Sequence, residues 1–272
     1  MAASARERVT PLGVIGGGAM ASAILAGAAR ASLLDGPCVV AEPDAAKHAA
    51  LRSIAPSLAV VPTAREAIAA LPADAAVLLA IKPQMLHGVA AETGPLGDRA
   101  VITILAGTTT DRIRAELGGR PVRVMPNLPA RVGLGASALA ASGHAREADA
   151  DLARALFRAV GEVFEIEEAL IDAFTGVAGS GPAYAFLLAE AMERGGIDAG
   201  LPQADSRRMV AATLRGAAAM LDGDADAALL RAAVTSKGGT TAAALGVLMD
   251  AGVPEAVARA VVAARDRARD LA

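Results

Sequence analysis

The pattern of hydrophobic and polar positions divides the chain into two parts. From residue 12 to about residue 166, short runs rich in Val, Ile and Leu alternate with alanine-rich segments of helical length. Such alternation predicts βαβ units and a parallel sheet covered on both faces. The predicted strands are Leu12–Ile15, Val39–Ala41, Leu58–Val61, Ala76–Ile81, Val101–Leu105, Pro121–Val124, Gly133–Ala141 and Glu162–Ile166.

After residue 166 the strand pattern stops, and helices rich in Ala and Leu follow, separated by Gly and Pro. Several of these helices are apolar on more than one side, which requires a large core or a partner subunit. We therefore expect a Rossmann-type α/β domain over residues 1–166. An all-α domain over residues 167–272 would carry substrate contacts and a dimer interface.

Composition narrows the function. The 272 residues are 54% hydrophobic and 20% charged with a net charge of -3, which argues against disorder. Aromatic residues make up 2%, Trp is missing and no basic block occurs, so nucleic acid is not an expected partner. The lone cysteine, Cys38, and three scattered histidines argue against a disulfide and against a metal site.

The uncharged stretch Leu12–Ala29 has the composition of a weak signal peptide or membrane span. Its glycines are clustered rather than spread, however, which a strand, a glycine turn and a helix explain better. We expect a cytoplasmic protein with no membrane segment.

That glycine cluster predicts a dinucleotide site. Gly16, Gly18 and Ala21 match the spacing of a Rossmann fingerprint between the first strand and the first helix. The cofactor diphosphate would bind the amides that open the helix. A plain strand–helix turn is the alternative. The expected cofactor contacts here are Ile15, Gly16, Gly17, Gly18, Ala19 and Met20.

Glu42 closes the second predicted strand, where an acid can accept the ribose hydroxyls and repel a 2′-phosphate. No arginine follows closely, so the cofactor is expected to be NADH or NADPH, with NADH slightly favoured. The alternative is an ordinary exposed carboxylate at a strand end.

Further cofactor contacts are expected at the carboxyl ends of later strands, where open α/β sheets bind ligands. Lys82 is expected to contact the cofactor, and the alternative is a lysine that is only solvated at a strand end. Asn127 offers a neutral amide near the expected position of the nicotinamide. These expected contacts are Ala80, Ile81, Lys82, Pro83, Ala106, Gly107 and Asn127.

Two glycine- and hydroxyl-rich segments open helices in the second half, at Gly176–Tyr184 and Ser236–Thr241. Backbone amides at such a helix start suit a carboxylate. For the second segment the alternative is an N-cap formed by Thr240 or Thr241.

Taken in order, the motifs resemble those of the pyrroline-5-carboxylate reductase family over essentially the whole chain. The matching segments are Gly16–Met20, Ala80–Gln84, Arg123–Ala130, Gly179–Tyr184 and Ser236–Thr241. The resemblance implies hydride transfer from NADH or NADPH to the C=N bond of 1-pyrroline-5-carboxylate, giving L-proline. It also implies a homodimer, which in this family can assemble further, for example into a decamer.

The resemblance also implies roles for residues in the second half. Backbone amides at Gly239 and Thr240 would hold the substrate carboxylate, and the Thr241 hydroxyl would lie near the ring nitrogen as the catalytic group. Asp224 and Val234 would line the pocket, partly from a second subunit. A protonated imine is already electrophilic, so positioning matters more here than a strong general acid.

The chain departs from the family pattern at four positions. Ala19 replaces a polar residue beside the diphosphate, Leu128 replaces Thr, and Lys237 stands where the family normally has Pro. Glu42 lies where NADPH-using members tend to carry small hydroxyl residues or positive charge, which puts the NADPH preference in doubt.

Three alternative functions share parts of this pattern. A β-hydroxyacid dehydrogenase shares the domain plan, but its expected Lys and Asn positions are Ala185 and Ala189, so the base for alcohol oxidation is missing. A reductase of another cyclic imine and a non-catalytic dinucleotide sensor both remain open.

Overall fold

The structure is a computed structural model that describes residues 11–222 and 225–271. It consists of two compact units. The first runs to Gly179 and includes the chain from Ala264 onward, and the second spans Ser180–Ala263. The first unit thus extends past residue 166, because Ile171 packs against Ala138 and Ala140 of its sheet. The domain boundary after residue 166 stays a prediction.

Eight strands of the described chain form one sheet in the order β3-β2-β1-β4-β5-β6-β7-β8. Strands β1 to β6 are parallel to one another, β7 is antiparallel to β6, and β8 is parallel to β7. The strands are β1 Leu12–Ile15, β2 Cys38–Ala41, β3 Leu58–Val61, β4 Ala76–Leu79, β5 Ala100–Thr103, β6 Arg120–Pro126, β7 Gly135–Ala141 and β8 Gly161–Glu165.

The predicted parallel sheet is therefore confirmed for six strands, and all eight predicted strands are present within a few residues. The antiparallel position of β7 was not predicted. The reason for it is that only a short turn, residues 127–134, separates β6 from β7. A connection of that length can join antiparallel neighbours but cannot cross a sheet.

Helices cover both faces of this sheet. In the first unit they are α1 Ala19–Arg30, α2 His48–Arg52, α3 Ala64–Ala69, α4 Leu86–Thr93, α5 Thr110–Leu117, α6 Glu147–Arg158 and α7 Ile171–Phe174. A π-helical turn, Thr175–Gly179, follows α7. This arrangement confirms the Rossmann-type α/β class.

The core of the first unit has two layers. Leu25 of α1 and Phe157 of α6 are fully buried with Leu78 on one side of the sheet, and Leu86 and Ile113 are fully buried on the other. Burying one such side chain contributes about 1.5–3 kcal/mol. The central strands are thus fixed from both sides, which sets the points where their loops begin.

The second unit is helical, which confirms the predicted all-α half. It contains α8 Gly181–Asp198, α9 Gln203–Met220, α10 Ala227–Ala233 and α11 Thr240–Asp250, and α12 Val253–Asp270 begins in it. α8, α10 and α11 have no buried residue. Large apolar side chains are exposed instead, among them Leu187 (67%), Leu229 (70%) and Val247 (70%). None of the described helices is long and apolar enough to cross a membrane.

Candidate functional site

The glycine turn between β1 and α1 is tightly enclosed at its start. Gly16 has a φ of +99°, and a Cβ at that position would lie 2.6 Å from the carbonyl oxygen of Ala80. The Gly16 amide donates to Ala41 O at 2.9 Å, and the Ala80 amide donates to Ile15 O at 2.8 Å. The turn is therefore held between the ends of β2 and β4, where only glycine fits.

The other end of the turn is open. A Cβ at Gly18 would have no neighbour within 4 Å, and no side chain caps α1 there. Ala19 is exposed, and the first helical turn has no acidic residue. Backbone amides at an uncapped helix start favour an anion. These features fit the diphosphate of a dinucleotide, as predicted from the glycine spacing.

Glu42 has partners that the sequence did not reveal. Its side chain is almost fully buried, and its Oε2 accepts a hydrogen bond from the Gly17 amide at 3.1 Å. Its Oε1 accepts from the Asp44 amide at 2.9 Å and from Lys47 Nζ at 3.2 Å. The carboxylate thus fastens the glycine turn, and Lys47 brings a cation close to it. The NADH preference stays a prediction.

Two more predicted segments lie at the same edge of the sheet, because β1, β4 and β5 are parallel neighbours. Ala80 touches the glycine turn, as described above, and Lys82 is exposed with no ion pair among the described residues. Gly107 follows β5 with a φ of +64°, and Ala106 beside it is exposed. The structure therefore brings these residues to the edge where the cofactor was predicted, and their contacts with it stay predictions.

Asn127 bridges three segments of the first unit. Its Nδ2 donates to Ala178 O in the π-helical turn at 3.0 Å, and its Oδ1 accepts from the Ala136 amide of β7 at 2.9 Å. Asn127 is only 7% exposed. An amide can make four hydrogen bonds, so half of its capacity is left for a ligand. Its predicted contact with the nicotinamide stays a prediction beside this structural role.

A buried arginine and two partly buried acids form a charged group that was not predicted from the sequence. Arg123 of β6 is almost fully buried and pairs with Glu168 at 3.3 Å and Asp172 at 3.8 Å. Glu168 also accepts two hydrogen bonds from Thr110 at the start of α5. The sequence does contain a signal for this group, because Arg123 stands between two valines within an apolar strand. A charge buried at such a position requires charged or polar partners.

In the second unit, α11 also begins without a side-chain cap. Its N-cap is Gly239, and neither Thr240 nor Thr241 forms a capping hydrogen bond. Gly238 before it has a φ of +71°. The N-cap alternative is therefore not realised, and no side chain in the described part of the chain accepts a hydrogen bond from the first amides of α11. Thr241 is half-buried, and Val234 (61%) and Lys237 are exposed. Asp224 lies outside the described residues. The substrate contacts of this group stay predictions.

Comparison with known proteins assigns the chain to a family. Residues 11–107 match the family model of NADP oxidoreductases described as coenzyme F420-dependent, and residues 168–271 match the pyrroline-5-carboxylate reductase dimerisation model. A pyrroline-5-carboxylate reductase of Synechocystis is 40% identical over 96% of this chain and 97% of that protein. One from Pisum sativum is 36% identical over 96% and 95%.

Solved structures agree with this assignment. A pyrroline-5-carboxylate reductase from Coxiella burnetii is 31% identical with a TM-score of 0.88, covering 97% of this chain and 99% of that one. The Plasmodium falciparum pyrroline carboxylate reductase with NADP bound is 26% identical with a TM-score of 0.84, covering 96% and 97%. With both units matched and identities of 36–40% over nearly the full length, the chain belongs to the pyrroline-5-carboxylate reductase family.

Proposed function

We propose that this protein reduces the C=N bond of 1-pyrroline-5-carboxylate to give L-proline, the last step of proline biosynthesis, in the cytoplasm. The observation that carries the proposal is the extent of the similarity. Pyrroline-5-carboxylate reductases match 96% of the chain, so the matched region includes both the glycine turn and the start of α11. A shared Rossmann unit alone would support only dinucleotide binding.

The residues at the glycine turn would bind the cofactor. The open amides at the start of α1 would hold its diphosphate, and Ala80, Gly107 and Asn127 would line the nicotinamide end. When bound, the reduced nicotinamide supplies the hydride. The protein's task is then to orient the two reactants, which is a large contribution when the imine is already electrophilic.

The residues that open α11 would hold the substrate. Amides at Gly239 and Thr240 would bind its carboxylate, which suits an uncapped helix start. The Thr241 hydroxyl would lie beside the ring nitrogen. A protonated imine nitrogen has no free lone pair, but one forms as hydride arrives, so the hydrogen bond that the hydroxyl would donate to it strengthens towards the transition state.

For the cofactor, we propose that both NADH and NADPH are used and that NADH is slightly favoured. Support comes from the negative charge of Glu42 beside Gly17. Lys47, at 3.2 Å, offsets part of that charge, which is consistent with a small preference rather than exclusion of a 2′-phosphate.

For the assembly, we propose a homodimer formed through the second unit, with a decamer as a possible larger form. Support comes from the exposed apolar side chains on α8, α10 and α11, since monomers rarely expose such surfaces. The match to a dimerisation family over residues 168–271 points the same way.

The test of the reaction is cofactor oxidation by the purified protein, with and without 1-pyrroline-5-carboxylate, and with L-proline measured by mass spectrometry. We expect oxidation only with the imine, and one proline for each cofactor consumed. A parallel arm with 1-pyrroline, which lacks the carboxylate, should be much slower. Equal rates on both imines would favour a general imine reductase, and cofactor binding without turnover would favour a sensor.

A further inference from the structure

Glu168 makes an unusual set of contacts for a residue outside the predicted site. It lies in the short 3-10 turn Glu168–Leu170 that follows β8. Its Oε1 accepts from the Thr110 amide at 2.8 Å, and its Oε2 accepts from Thr110 Oγ1 at 2.7 Å. Both carboxylate oxygens therefore accept hydrogen bonds from the first residue of α5, which is distant in the chain.

These hydrogen bonds place a negative charge at the start of a helix. The first amides of a helix have no partner within the helix, and its positive end favours a negative charge. Thr110 is buried, so its amide has little access to water as a hydrogen-bond acceptor. Thr109 already caps the Arg112 amide at 3.3 Å, and Glu168 satisfies the Thr110 amide beside it. Together they fix the start of α5.

A buried arginine holds the carboxylate in place. Arg123 of β6 donates to Glu168 Oε1 at 3.3 Å and lies 3.8 Å from Asp172. The guanidinium is thus shared between two acids of the segment that runs from β8 to the π-helical turn. That segment is tied at its other end by Asn127 and Ala178.

The loop from β5 to α5 contains Ala106 and Gly107, two of the expected cofactor contacts. Its β5 end is fixed by the sheet, and its α5 end is fixed by Glu168. Within it, Thr108 is fully buried. A shift of the α5 start would move this loop, because few residues separate Gly107 from Thr110.

We infer that Glu168 is a positioning residue for hydride transfer, acting through Thr110 on the loop that carries Ala106 and Gly107. It would act without touching the reactants. Its carboxylate couples this loop to the segment that leads from the sheet towards residue 180. The inference rests on the proposed function for its kinetic part and on the structure alone for its effect on the loop.

The test compares Glu168→Gln with Glu167→Gln. Glu167 is the exposed neighbour and makes no side-chain hydrogen bond as the N-cap of the same turn, so it is a matched control. We expect Glu168→Gln to lower kcat about tenfold, less than the roughly 100-fold that a 1 Å misplacement can cause. The KM for the imine should stay within about twofold. Glu167→Gln should behave like the wild type.

A second pair of variants tests the route through Thr110. Thr110→Ser retains the hydroxyl that bonds to Glu168, whereas Thr110→Val removes it and keeps the bulk. The serine variant should keep most of the kcat, and the valine variant should lose a few-fold. Equal losses in the two variants would contradict the proposed route.

Hydrogen exchange of the protein without cofactor gives a readout independent of activity. Glu168→Gln should speed amide exchange in residues 104–112 by at least about tenfold while the rest of the sheet keeps its protection. Unchanged exchange in that loop, or unchanged kcat in an active enzyme, would overturn the inference. If the wild type reduces no imine, the proposed function fails, and the exchange result still decides whether Glu168 holds the loop.

Discussion

Arg120 of β6 and Asp149 of α6 form a two-pronged ion pair, with Nε to Oδ2 at 2.7 Å and Nη2 to Oδ1 at 2.8 Å. The Asp149 side chain is only 6% exposed. Burial by itself would raise the pKa of Asp149, but the hydrogen bonds from Arg120 and from the Arg146 amide outweigh it. The pKa is therefore held below its usual value.

This pair predicts how stability depends on pH. A carboxyl whose pKa is lower in the folded protein stabilises the fold above its unfolded pKa of about 3.9. That contribution is lost as the pH falls through the folded value. We expect Asp149→Asn to cost about 3 kcal/mol at pH 7 in urea unfolding. The difference from the wild type should shrink as the pH falls below about 4.

The control for this prediction is Asp35→Asn, since Asp35 is exposed and forms no side-chain hydrogen bond or ion pair in the described part of the chain. Its free energy of unfolding should follow the wild type within about 0.5 kcal/mol. A constant difference between Asp149→Asn and the wild type from pH 7 to pH 3 would refute the role of the charge.

Thr241 is predicted to act through its hydroxyl. Removing one neutral hydrogen bond costs about 0.5–1.5 kcal/mol, or roughly two- to tenfold in rate. Thr241→Ala should lower kcat/KM for 1-pyrroline-5-carboxylate by that factor, and Thr241→Val should do the same. Cofactor affinity, measured by fluorescence titration, should not change. Full activity in the valine variant alone would mean that the residue serves packing.

Glu42 and Lys47 are predicted to set the cofactor preference in opposite directions. Glu42→Ser should raise the ratio of kcat/KM for NADPH to that for NADH, because a negative charge near the 2′-phosphate is removed. Lys47→Ala should lower the same ratio. The ratio cancels general damage to the glycine turn, which Glu42 also fastens. A wild type that strongly prefers NADPH would show that our interpretation of Glu42 is wrong.

The second unit is predicted to require a partner subunit. We expect a dimer or larger species in analytical ultracentrifugation at micromolar concentration. Val247→Asp should weaken it, because it places a charge among exposed apolar side chains. Val132→Asp is the matched control, since Val132 is similarly exposed (73%) but belongs to the first unit. A fully active wild-type monomer would contradict this prediction.

Much of the fold could be predicted because β1, β2, β4 and β5 are buried on both faces. Leu78 and Leu79 of β4 are both fully buried, so the strand forms an uninterrupted apolar run that is visible in the sequence. The direction of β7 is not visible in the apolar pattern and is indicated only by the short connection between β6 and β7. An apolar pattern reports which faces are buried and says nothing about which way the strand runs.

The site was predicted where it depends on local backbone geometry and missed where it depends on distant partners. The glycine turn is local, so its spacing identifies it. Arg123 and Glu168 are 45 positions apart and meet only in the folded chain. The Lys47 ammonium reaches Glu42 across the intervening loop, a contact that the spacing in the sequence does not show.

The exposed apolar surface of the second unit has a consequence for handling the protein at low concentration. Where folding is completed by association, mass action enters the stability, and thermal unfolding depends on protein concentration. Each tenfold dilution would remove about 1.4 kcal/mol from the free energy of unfolding of a dimer. Assays at nanomolar enzyme would then start from partly dissociated chains, and the specific activity would rise with enzyme concentration until the helices α8, α10 and α11 are paired.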